Sequence, residues 1–186
     1  MDDALKIQVR QLIKTGEGCI EHMYLDSVGK VTVGVGNMLP DATAAQALPF
    51  LYRESKEAAE AEAVSREFEL LLAQEPDHVA SYYKQFTTLV LDARAIDLLL
   101  DRRINGFVGH LRRNFDGFDD FPEAAQLGLV DMVFNLGSSG LINKFPTFTR
   151  AARAHDWQSC AAECRRRGIS EARNKEVKGL FLSCLG

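Results

Sequence analysis

The sequence predicts a mainly α fold of the α+β class, in which a small β hairpin lobe and a helical C-terminal lobe are joined by a long helix. Three observations support this prediction. Helical apolar periodicity occupies most of the chain, residues 20–35 alternate like β strands, and one apolar stripe from Asp92 to about Leu111 is long enough to connect two lobes. With 186 residues, 46% of them hydrophobic, the chain can bury a sizeable core.

The first predicted element is an amphipathic helix over residues 2–15. Its apolar face carries Leu5, Val9, Leu12 and Ile13. This spacing of three and four residues is typical of a helix with one buried side. The helix is expected to stop at Thr15-Gly16, just before Glu17, because glycine commonly follows a helix end.

Residues 16–90 are assigned to the β hairpin lobe. Ile20–Val35 is rich in β-formers, and Ser27-Val28-Gly29-Lys30 within it is typical of a hairpin turn. This turn places Asp26 at a strand end. Further along, residues 55–74 are rich in alanine and glutamate and predict a helix.

The rest of the chain is predicted to be helical. The connecting helix is expected over residues 92–112, and the helical lobe over residues 116–186 together with the N-terminal helix. Residues 119–123 are typical of a helix start, because they combine acids with a proline near the first turn. The apolar helix that follows is expected to end at Gly137. Two further helices are predicted, over Phe148–Arg167 and Glu171–Leu182.

Composition, charge and the N-terminal sequence argue against several classes of protein. A net charge of −4 and a pI of about 5.6 argue against a nucleic-acid-binding protein. No window approaches the roughly 18 apolar residues of a membrane span. The acidic N-terminus lacks the features of a signal peptide. We therefore expect synthesis in the cytoplasm without a signal peptide. A monomer is also expected.

The four cysteines do not form a recognisable framework. Cys19, Cys160, Cys164 and Cys184 include no CxxC pair and no zinc-ribbon spacing. Cys160 and Cys164 lie one helical turn apart, and buried free thiols are the favoured interpretation. A metal site that includes His155 is the alternative. No metal and no cofactor is predicted.

Within residues 16–37, the carboxylates of Glu17 and Asp26 stand well apart, and a threonine follows them. Hydrolysis of a glycosidic bond needs an acid for the leaving oxygen and, in inverting enzymes, a second carboxylate that holds a water. Glu17 at a helix end and Asp26 in the following hairpin can face each other across a groove, and Thr32 can orient the same water. Spacing alone leaves open the alternative that all three are ordinary surface residues.

Three segments carry a resemblance to a known family. The first comprises Glu17-Gly18, Asp26, Gly29, Thr32 and Gly34-Val35-Gly36. This order resembles the catalytic hairpin of the T-even phage lysozymes, glycoside hydrolase family 24, which is also seen in pesticin-like toxins. Residues 129–168 are similar to the buried C-lobe helix of that family and the helices after it. The segment EARNKEV places Arg173 where the family has an arginine that pairs with the catalytic glutamate.

The resemblance, which covers the chain up to residue 40 and from about residue 92 onward, implies a two-lobed lysozyme fold and a function. The implied reaction is hydrolysis of the β-1,4 bond between N-acetylmuramic acid and N-acetylglucosamine in peptidoglycan. Glu17 would be the general acid, Asp26 with Thr32 would position and activate the water, and Arg173 would keep Glu17 oriented. Inversion at the anomeric carbon and independence of cofactors are further implications.

The resemblance also indicates residues of the cleft walls, namely Gly36, Met38, Met132, Phe134 and Asn135. Asn135 would offer its amide to an acetamido group. Met132 and Phe134 lie in a continuous apolar run, so a place in the core is the favoured alternative for them. Arg165–Arg167 is interpreted as a solvated helix face, with a basic rim for the peptide carboxylates of peptidoglycan as the alternative.

The chain departs from the family in two places. Asn37 stands where the family commonly has a histidine, and residues 41–90 are longer and do not match. Two other functions remain as alternatives, a lytic transglycosylase and a non-catalytic peptidoglycan-binding module. The presence of Asp26 and Thr32 beside Glu17 favours hydrolysis.

The expected setting follows from the substrate. Peptidoglycan lies outside the cytoplasmic membrane, so the protein would act in the periplasm or cell wall after release or secretion. A phage endolysin and an antibacterial effector or toxin domain are both compatible with the sequence. An effector would need delivery machinery and a cognate immunity protein in the producing cell.

Overall fold

A computed structural model describes residues 3–186. Helices account for most of the chain, and the strands form two small antiparallel sheets, so the predicted fold class is confirmed. The helices are α1 (Asp3–Glu17), α2 (Ala42–Gln46), α3 (Ala61–Leu72), α4 (Ala80–Tyr83), α5 (Ala93–Asn114), α6 (Glu123–Lys144), α7 (Pro146–Arg153), α8 (Trp157–Glu163) and α9 (Glu171–Leu182). The strands are β1 (Ile20–Leu25), β2 (Val31–Gly34), β3 (Asn37–Met38), β4 (Leu51–Tyr52) and β5 (Leu89–Val90).

The chain divides into two compact units. One comprises residues 3–16 and 102–186, and the other comprises residues 17–101. The boundary between residues 101 and 102 falls inside α5. Within residues 3–186, no helix is both long enough and apolar enough to cross a membrane.

Helix α1 buries the apolar face that the sequence predicts. Leu5, Val9 and Ile13 are buried, and Leu12 is half-buried. The helix continues two residues past the expected stop and includes Glu17. It ends before Gly18, whose φ of 79° is unfavourable for residues that carry a side chain.

The predicted hairpin is confirmed. Strands β1 and β2 pair antiparallel, with Tyr24 opposite Thr32, and β3 adds to the far side of β2. The turn between them closes where Asp26 N donates to Lys30 O at 2.9 Å. Gly29 takes a φ of 75° in this turn, a conformation that glycine adopts without a steric penalty.

The helix predicted over residues 55–74 begins later than expected. Helix α3 starts at Ala61, because the preceding residues turn back on themselves. Lys56 has a φ of 61°, and Leu51 forms an antiparallel bridge with Ala58. These contacts hold the segment in a turn although its composition favours a helix.

A second sheet was not predicted. Strands β4 and β5 pair antiparallel, with Leu51 opposite Val90. The chain leaving β5 bonds to the hairpin, because Leu91 N donates to Glu21 O at 2.8 Å. This bond links the second sheet to the hairpin.

Helix α5 confirms the long amphipathic helix. Its buried stripe consists of Ala95, Ile96, Leu100, Ile104, Val108 and Leu111. The predicted range of residues 92–112 differs from the observed one by one residue at the start and two at the end. Such differences are ordinary at helix ends.

The C-terminal helices differ from the prediction at two points. Helix α6 is interrupted at Gly137 (φ 70°, ψ 162°) as expected, but it resumes and continues to Lys144. The single helix predicted over Phe148–Arg167 is wrong, because α7 and α8 are separate. His155 breaks the path with a φ of 55°, and Asp156 caps α8 by accepting from Ser159 N at 3.0 Å.

Candidate active site

Asp26 directly follows β1, and its carboxylate is held by the turn after it. Its Oδ1 accepts hydrogen bonds from Val28 N at 3.0 Å and from Lys30 N at 2.8 Å. This arrangement is an Asx turn extended by one bond, which aspartate favours at strand ends. In the described part of the chain, no group donates to its other oxygen, Oδ2. One carboxylate oxygen is therefore anchored, and the other is available to a water.

Thr32 lies on β2 and is bonded to the same turn. Its hydroxyl donates to the carbonyl oxygen of Lys30 at 3.1 Å. Because its hydrogen is committed in this bond, its lone pairs are free to accept. The structure thus ties Asp26 and Thr32 to a single residue, through the amide and the carbonyl of Lys30. Thr32 is buried, so its surroundings suit a water better than a larger group.

Glu17 is the last residue of α1, and its side chain is exposed. The residue before it, Gly16, is in a crowded position. A Cβ at residue 16 would lie 2.6 Å from both Cζ and Nε of Arg173. The guanidinium of Arg173 therefore lies directly against the backbone that leads into Glu17. The predicted ion pair between Glu17 and Arg173 stays a prediction.

Arg173 is positioned by a buried charge cluster, which we define as Asp131, Arg166 and Arg173. These residues are 0%, 2% and 6% exposed. Oδ1 of Asp131, on α6, accepts from Arg173 Nε at 3.0 Å and from Arg173 Nη2 at 2.8 Å. Its Oδ2 lies 2.7 Å from Arg166 Nη2. One carboxylate thus lies between two guanidinium groups.

Local hydrogen bonds shape the chain around this cluster. Arg166 Nη1 donates to the carbonyl oxygen of Asp131 at 3.2 Å. Asn174 connects the two arginine segments, because it accepts from Arg166 N at 3.1 Å and donates to Arg166 O at 3.0 Å. Ser170 caps α9 by accepting from Arg173 N at 3.2 Å. Arg173 is therefore held at its guanidinium group by Asp131 and at its backbone N by Ser170.

The buried charge cluster carries a net charge of about +1, since two guanidinium groups face one carboxylate. Buried ions are tolerated only when they are paired and hydrogen-bonded. Removal of Asp131 would leave both arginines without their shared partner. This dependence makes Asp131 the central residue of the cluster.

The interpretation of Arg165–Arg167 as a solvated helix face is wrong at its centre. Arg165 and Arg167 are exposed, and Arg165 pairs with Glu171 at 2.6 Å. Arg166 instead turns inward to Asp131, and the segment follows the end of α8 without helical structure. The difference arises because the backbone leaves the helix before the arginines.

The predicted wall residues have different environments. Gly36 is exposed with a φ of 64°, and Met38 on β3 is 51% exposed, so both present surface to solvent. Asn135 is half-buried, whereas Met132 has no exposed surface. Phe134 is also buried. The burial of Met132 and Phe134 favours a place in the core over a place in a cleft wall, as their apolar run already indicated.

Phe134 is packed within its own unit. Its ring meets the ring of Phe107 edge to face at 5.6 Å, and the guanidinium of Arg103 lies over it at 4.3 Å. A cation over a ring face is attracted by the quadrupole of the ring. Phe107 and Arg103 both lie on α5, so Phe134 packs against that helix.

The structure also bears on the cysteines. Cys160 and Cys164 are buried free thiols, and burial raises the pKa of Cys160 to about 12. A thiol with so high a pKa is a poor metal ligand or nucleophile. Among the residues that the structure describes, no three His, Cys, Asp or Glu side chains are grouped as metal ligands would be.

Sequence reasoning missed Asp131 and Arg166. A signal was present, because Asp131 is the one acid in the apolar run LGLVDMVF. A carboxylate inside such a run needs a cationic partner, but the pattern does not say which arginine supplies it.

A comparison with protein-family models finds no match, and none of the curated proteins matches the chain.

Proposed function

We propose that this chain is a muramidase that cleaves the β-1,4 bond between N-acetylmuramic acid and N-acetylglucosamine in peptidoglycan. The observation that carries the proposal is the contact of Arg173 with Gly16, the residue before Glu17. The resemblance to the family 24 lysozymes names Glu17 and Arg173 as partners. Gly16 and Arg173 come from opposite ends of the chain, and their close approach within one compact unit supports the resemblance.

Glu17 is proposed as the general acid. It donates its proton to the glycosidic oxygen as the bond to the leaving sugar breaks, a contribution of roughly 10²–10⁴-fold in rate. Arg173, held by Asp131, orients the carboxyl group through its position beside Gly16. A proton donor must be within hydrogen-bond reach of the leaving oxygen, so a fixed orientation matters as much as acidity.

Asp26 and Thr32 are proposed to hold the attacking water. The water donates one hydrogen to Oδ2 of Asp26 and the other to Oγ1 of Thr32, whose own hydrogen is bonded to Lys30 O. Its lone pair then remains for the anomeric carbon. Asp26 takes up a proton as the water attacks from the face opposite the leaving group, which inverts the configuration.

The proposed substrate sets the expected surroundings. Met38 offers an exposed apolar side chain on the hairpin to a sugar ring, and the exposed backbone of Gly36 allows close approach. Peptidoglycan is the proposed partner, reached after phage release or secretion as an antibacterial effector. In the second case an immunity protein would protect the producing cell. We propose that the chain acts as a monomer.

A digest of purified peptidoglycan tests the proposal. Wild type, Glu17→Gln and Glu21→Gln are compared, and the soluble products are reduced with borohydride and read by mass spectrometry. Glu21 is an exposed glutamate on β1 and serves as the matched control. We expect reducible N-acetylmuramic ends from wild type and Glu21→Gln and none from Glu17→Gln, whose fold is checked by circular dichroism.

Three other results would contradict the proposal. Anhydro ends would indicate a lytic transglycosylase. Binding to peptidoglycan without products from folded wild type would indicate a binding module. Full activity of Glu17→Gln would remove Glu17 from the chemistry.

A further inference from the structure

A cavity of about 270 Å³ lies between α8, the segment after it and α9, within the unit that contains residues 102–186. Its wall includes three exposed side chains, those of Arg165, Lys175 and Lys178, so a ligand from solvent can contact them. None of the described lining residues belongs to the proposed catalytic set. A single water occupies about 30 Å³, so the cavity has room for a molecule of several heavy atoms.

The wall of this cavity carries an excess of positive charge. Arg165, Lys175 and Lys178 supply three cations, and Glu171 supplies the one carboxylate in the described lining. Arg165 Nη2 lies 2.6 Å from Glu171 Oε1, so these two charges offset each other. Within residues 3–186, neither lysine takes part in a hydrogen bond or an ion pair. The two ammonium groups therefore leave the wall with a charge of about +2.

The two lysines lie on the same side of α9. Lys175 and Lys178 are three residues apart, and residues at this spacing are neighbours on a helix surface. The charge of Lys178 also reaches the buried part of the lining. Burial raises the pKa of the Cys164 thiol, whereas the charges of Arg166 and Lys178 lower it. An anion between the lysines would offset their mutual repulsion.

Charges that are close to the cavity in sequence do not reverse this excess. Glu163, Arg167 and Glu176 are exposed and do not line the cavity. Solvent and salt screen such exposed charges. The charge that a ligand meets is therefore set mainly by the lining residues.

Hydrogen bonds hold the two sides of the cavity together. Asn174, a buried lining residue on α9, accepts from Arg166 N at 3.1 Å and donates to Arg166 O at 3.0 Å. The pair of Arg165 and Glu171 joins the same two segments. The cavity thus exists before a ligand arrives, which lowers the entropic cost of binding.

The remaining lining residues have small side chains. Ala161 and Cys164 are buried, and Ala162 is exposed. The Cys164 thiol is directed to Ala161 O, with its Sγ at 3.5 Å. Small apolar walls beside a few charged groups suit a ligand that has a charged head and an uncharged carbon-bearing part.

The arrangement of the charged groups favours phosphate over carboxylate. A carboxylate is best bound by a planar guanidinium fork, but the fork of Arg165 is already bonded to Glu171. Lys175 and Lys178 remain, and lysine binds phosphate as a point charge. A phosphate monoester carries a charge of about −2 and three acceptor oxygens, which matches two ammonium groups.

We propose that this cavity binds a phosphate monoester group, with Nζ of Lys175 and Nζ of Lys178 donating hydrogen bonds to its terminal oxygens. The carbon-bearing part of the ligand packs against Ala161 and Cys164. The bound group links α9 to the chain that follows α8. This site does not rest on the proposed muramidase activity.

The test is a titration of the full chain with inorganic phosphate and with glycerol 3-phosphate, followed by amide nuclear magnetic resonance. At about pH 8 a phosphate monoester carries two negative charges, and sodium chloride keeps the ionic strength constant. We expect saturable shifts at residues 161–167 and 171–178. Succinate, a dicarboxylate of the same charge, should bind several-fold more weakly than glycerol 3-phosphate.

Matched variants separate a specific site from general attraction to a basic surface. Lys178→Gln should weaken binding of glycerol 3-phosphate by about tenfold, because it removes a charged donor. Lys144→Gln changes an exposed lysine outside the cavity and should bind like wild type. Glu171→Gln removes the one acid of the described lining and should strengthen binding by about threefold. Circular dichroism checks the fold of each variant.

Vesicles distinguish two sources of the same phosphate group. Sedimentation with vesicles that contain phosphatidic acid, lost in Lys178→Gln, would assign the site to a lipid headgroup. Binding of glycerol 3-phosphate without such sedimentation would assign it to a soluble ester.

Three outcomes would overturn this inference. These are no saturable shift at millimolar phosphate or glycerol 3-phosphate, equal affinities of Lys178→Gln and Lys144→Gln, or succinate binding as tight as that of glycerol 3-phosphate. The peptidoglycan digest is independent of all three, so either proposal can fail without the other.

Discussion

The Asp26 turn and the buried charge cluster hold polar side chains in opposite ways. Every partner of Asp26 lies within four residues of it, and the turn faces solvent. In the cluster, by contrast, Asp131 is 35 residues from Arg166 and 42 from Arg173 along the chain, and all three are buried and joined by charged contacts. The comparison shows that the proposed water-holding carboxylate depends on local backbone geometry. The position of Arg173 depends on the packing of a whole unit.

The largest effect on stability is expected from a substitution in the buried charge cluster. Asp131→Ala leaves two buried guanidinium groups without their shared partner, so we expect it to lose about 3–5 kcal/mol of unfolding free energy. Asp116→Ala, at an exposed aspartate, should change stability by less than about 0.5 kcal/mol. Urea denaturation monitored by circular dichroism measures both. A loss for Asp131→Ala no larger than that of the control would show that the cluster is not structural.

A pair of glycines tests the contact with Arg173. Gly16→Ala would place a Cβ 2.6 Å from a guanidinium that Asp131 holds, and we expect it to lose about 1–3 kcal/mol from steric overlap. Gly106→Ala, in α5 with open space around it, should gain about 0.5–1 kcal/mol from helix propensity. Thermal or urea denaturation distinguishes them. Equal gains at both positions would mean that Arg173 does not lie against Gly16.

Two substitutions of Asp26 separate its turn from its charge. Asp26→Ala removes the acceptor of two exposed backbone bonds and should lose about 1 kcal/mol. Asp26→Asn keeps an oxygen at Oδ1 and should stay within about 0.5 kcal/mol of wild type. Both should lose peptidoglycan turnover, measured by release of reducing ends. An active Asp26→Asn would refute the role of Asp26 as the base.

The smallest effect expected is a pH dependence in the unit of residues 17–101. His22 is buried, and its Nε2 donates to Ala80 O at 2.9 Å. Burial lowers the pKa of His22, although the bond to Ala80 raises it. The nearby charges of Arg53 and Lys84 lower the pKa further, and that of Glu21 raises it. The unfolded chain therefore binds a proton at His22 more readily than the folded chain does. The contribution of neutral His22 to the free energy of unfolding is present above pH about 6.5 and declines as the pH falls below it.

Denaturation at pH 7.5 and pH 5 measures this effect. His22→Gln can keep a donor to Ala80 O but does not titrate, so the decline from pH 7.5 to pH 5 should be smaller than in wild type. The same decline in both proteins would assign the pH dependence to other groups.

The sequence predicted the parts of the fold that depend on local pattern. The periodicity of α1 and α5 gave their buried faces, and Ser27-Val28-Gly29-Lys30 gave the hairpin turn, because turn chemistry acts within four residues. Strands β4 and β5 were missed, since each has only two residues and they are far apart in sequence. Nothing in so short a run distinguishes a strand from a loop.

The candidate site was predicted in the same unequal way. The hairpin that carries Asp26 and Thr32 was predicted because its turn is visible in the sequence, whereas their catalytic role stays a prediction. The partnership of Asp131 with Arg166 was not predicted, because it depends on contacts between residues that are far apart in sequence. The composition of residues 55–60 favoured a helix, but the bridge between Leu51 and Ala58 overrode it. Tertiary contacts commonly override such propensities.

The most direct test of the account is a peptidoglycan digest in water enriched in oxygen-18, followed by prompt borohydride reduction and mass spectrometry of the products. Attack by a water held by Asp26 and Thr32 predicts one heavy oxygen at each new N-acetylmuramic end, in amounts that Glu17→Gln abolishes. Unlabelled anhydro ends, or labelled ends that persist in Glu17→Gln, would contradict the proposed mechanism.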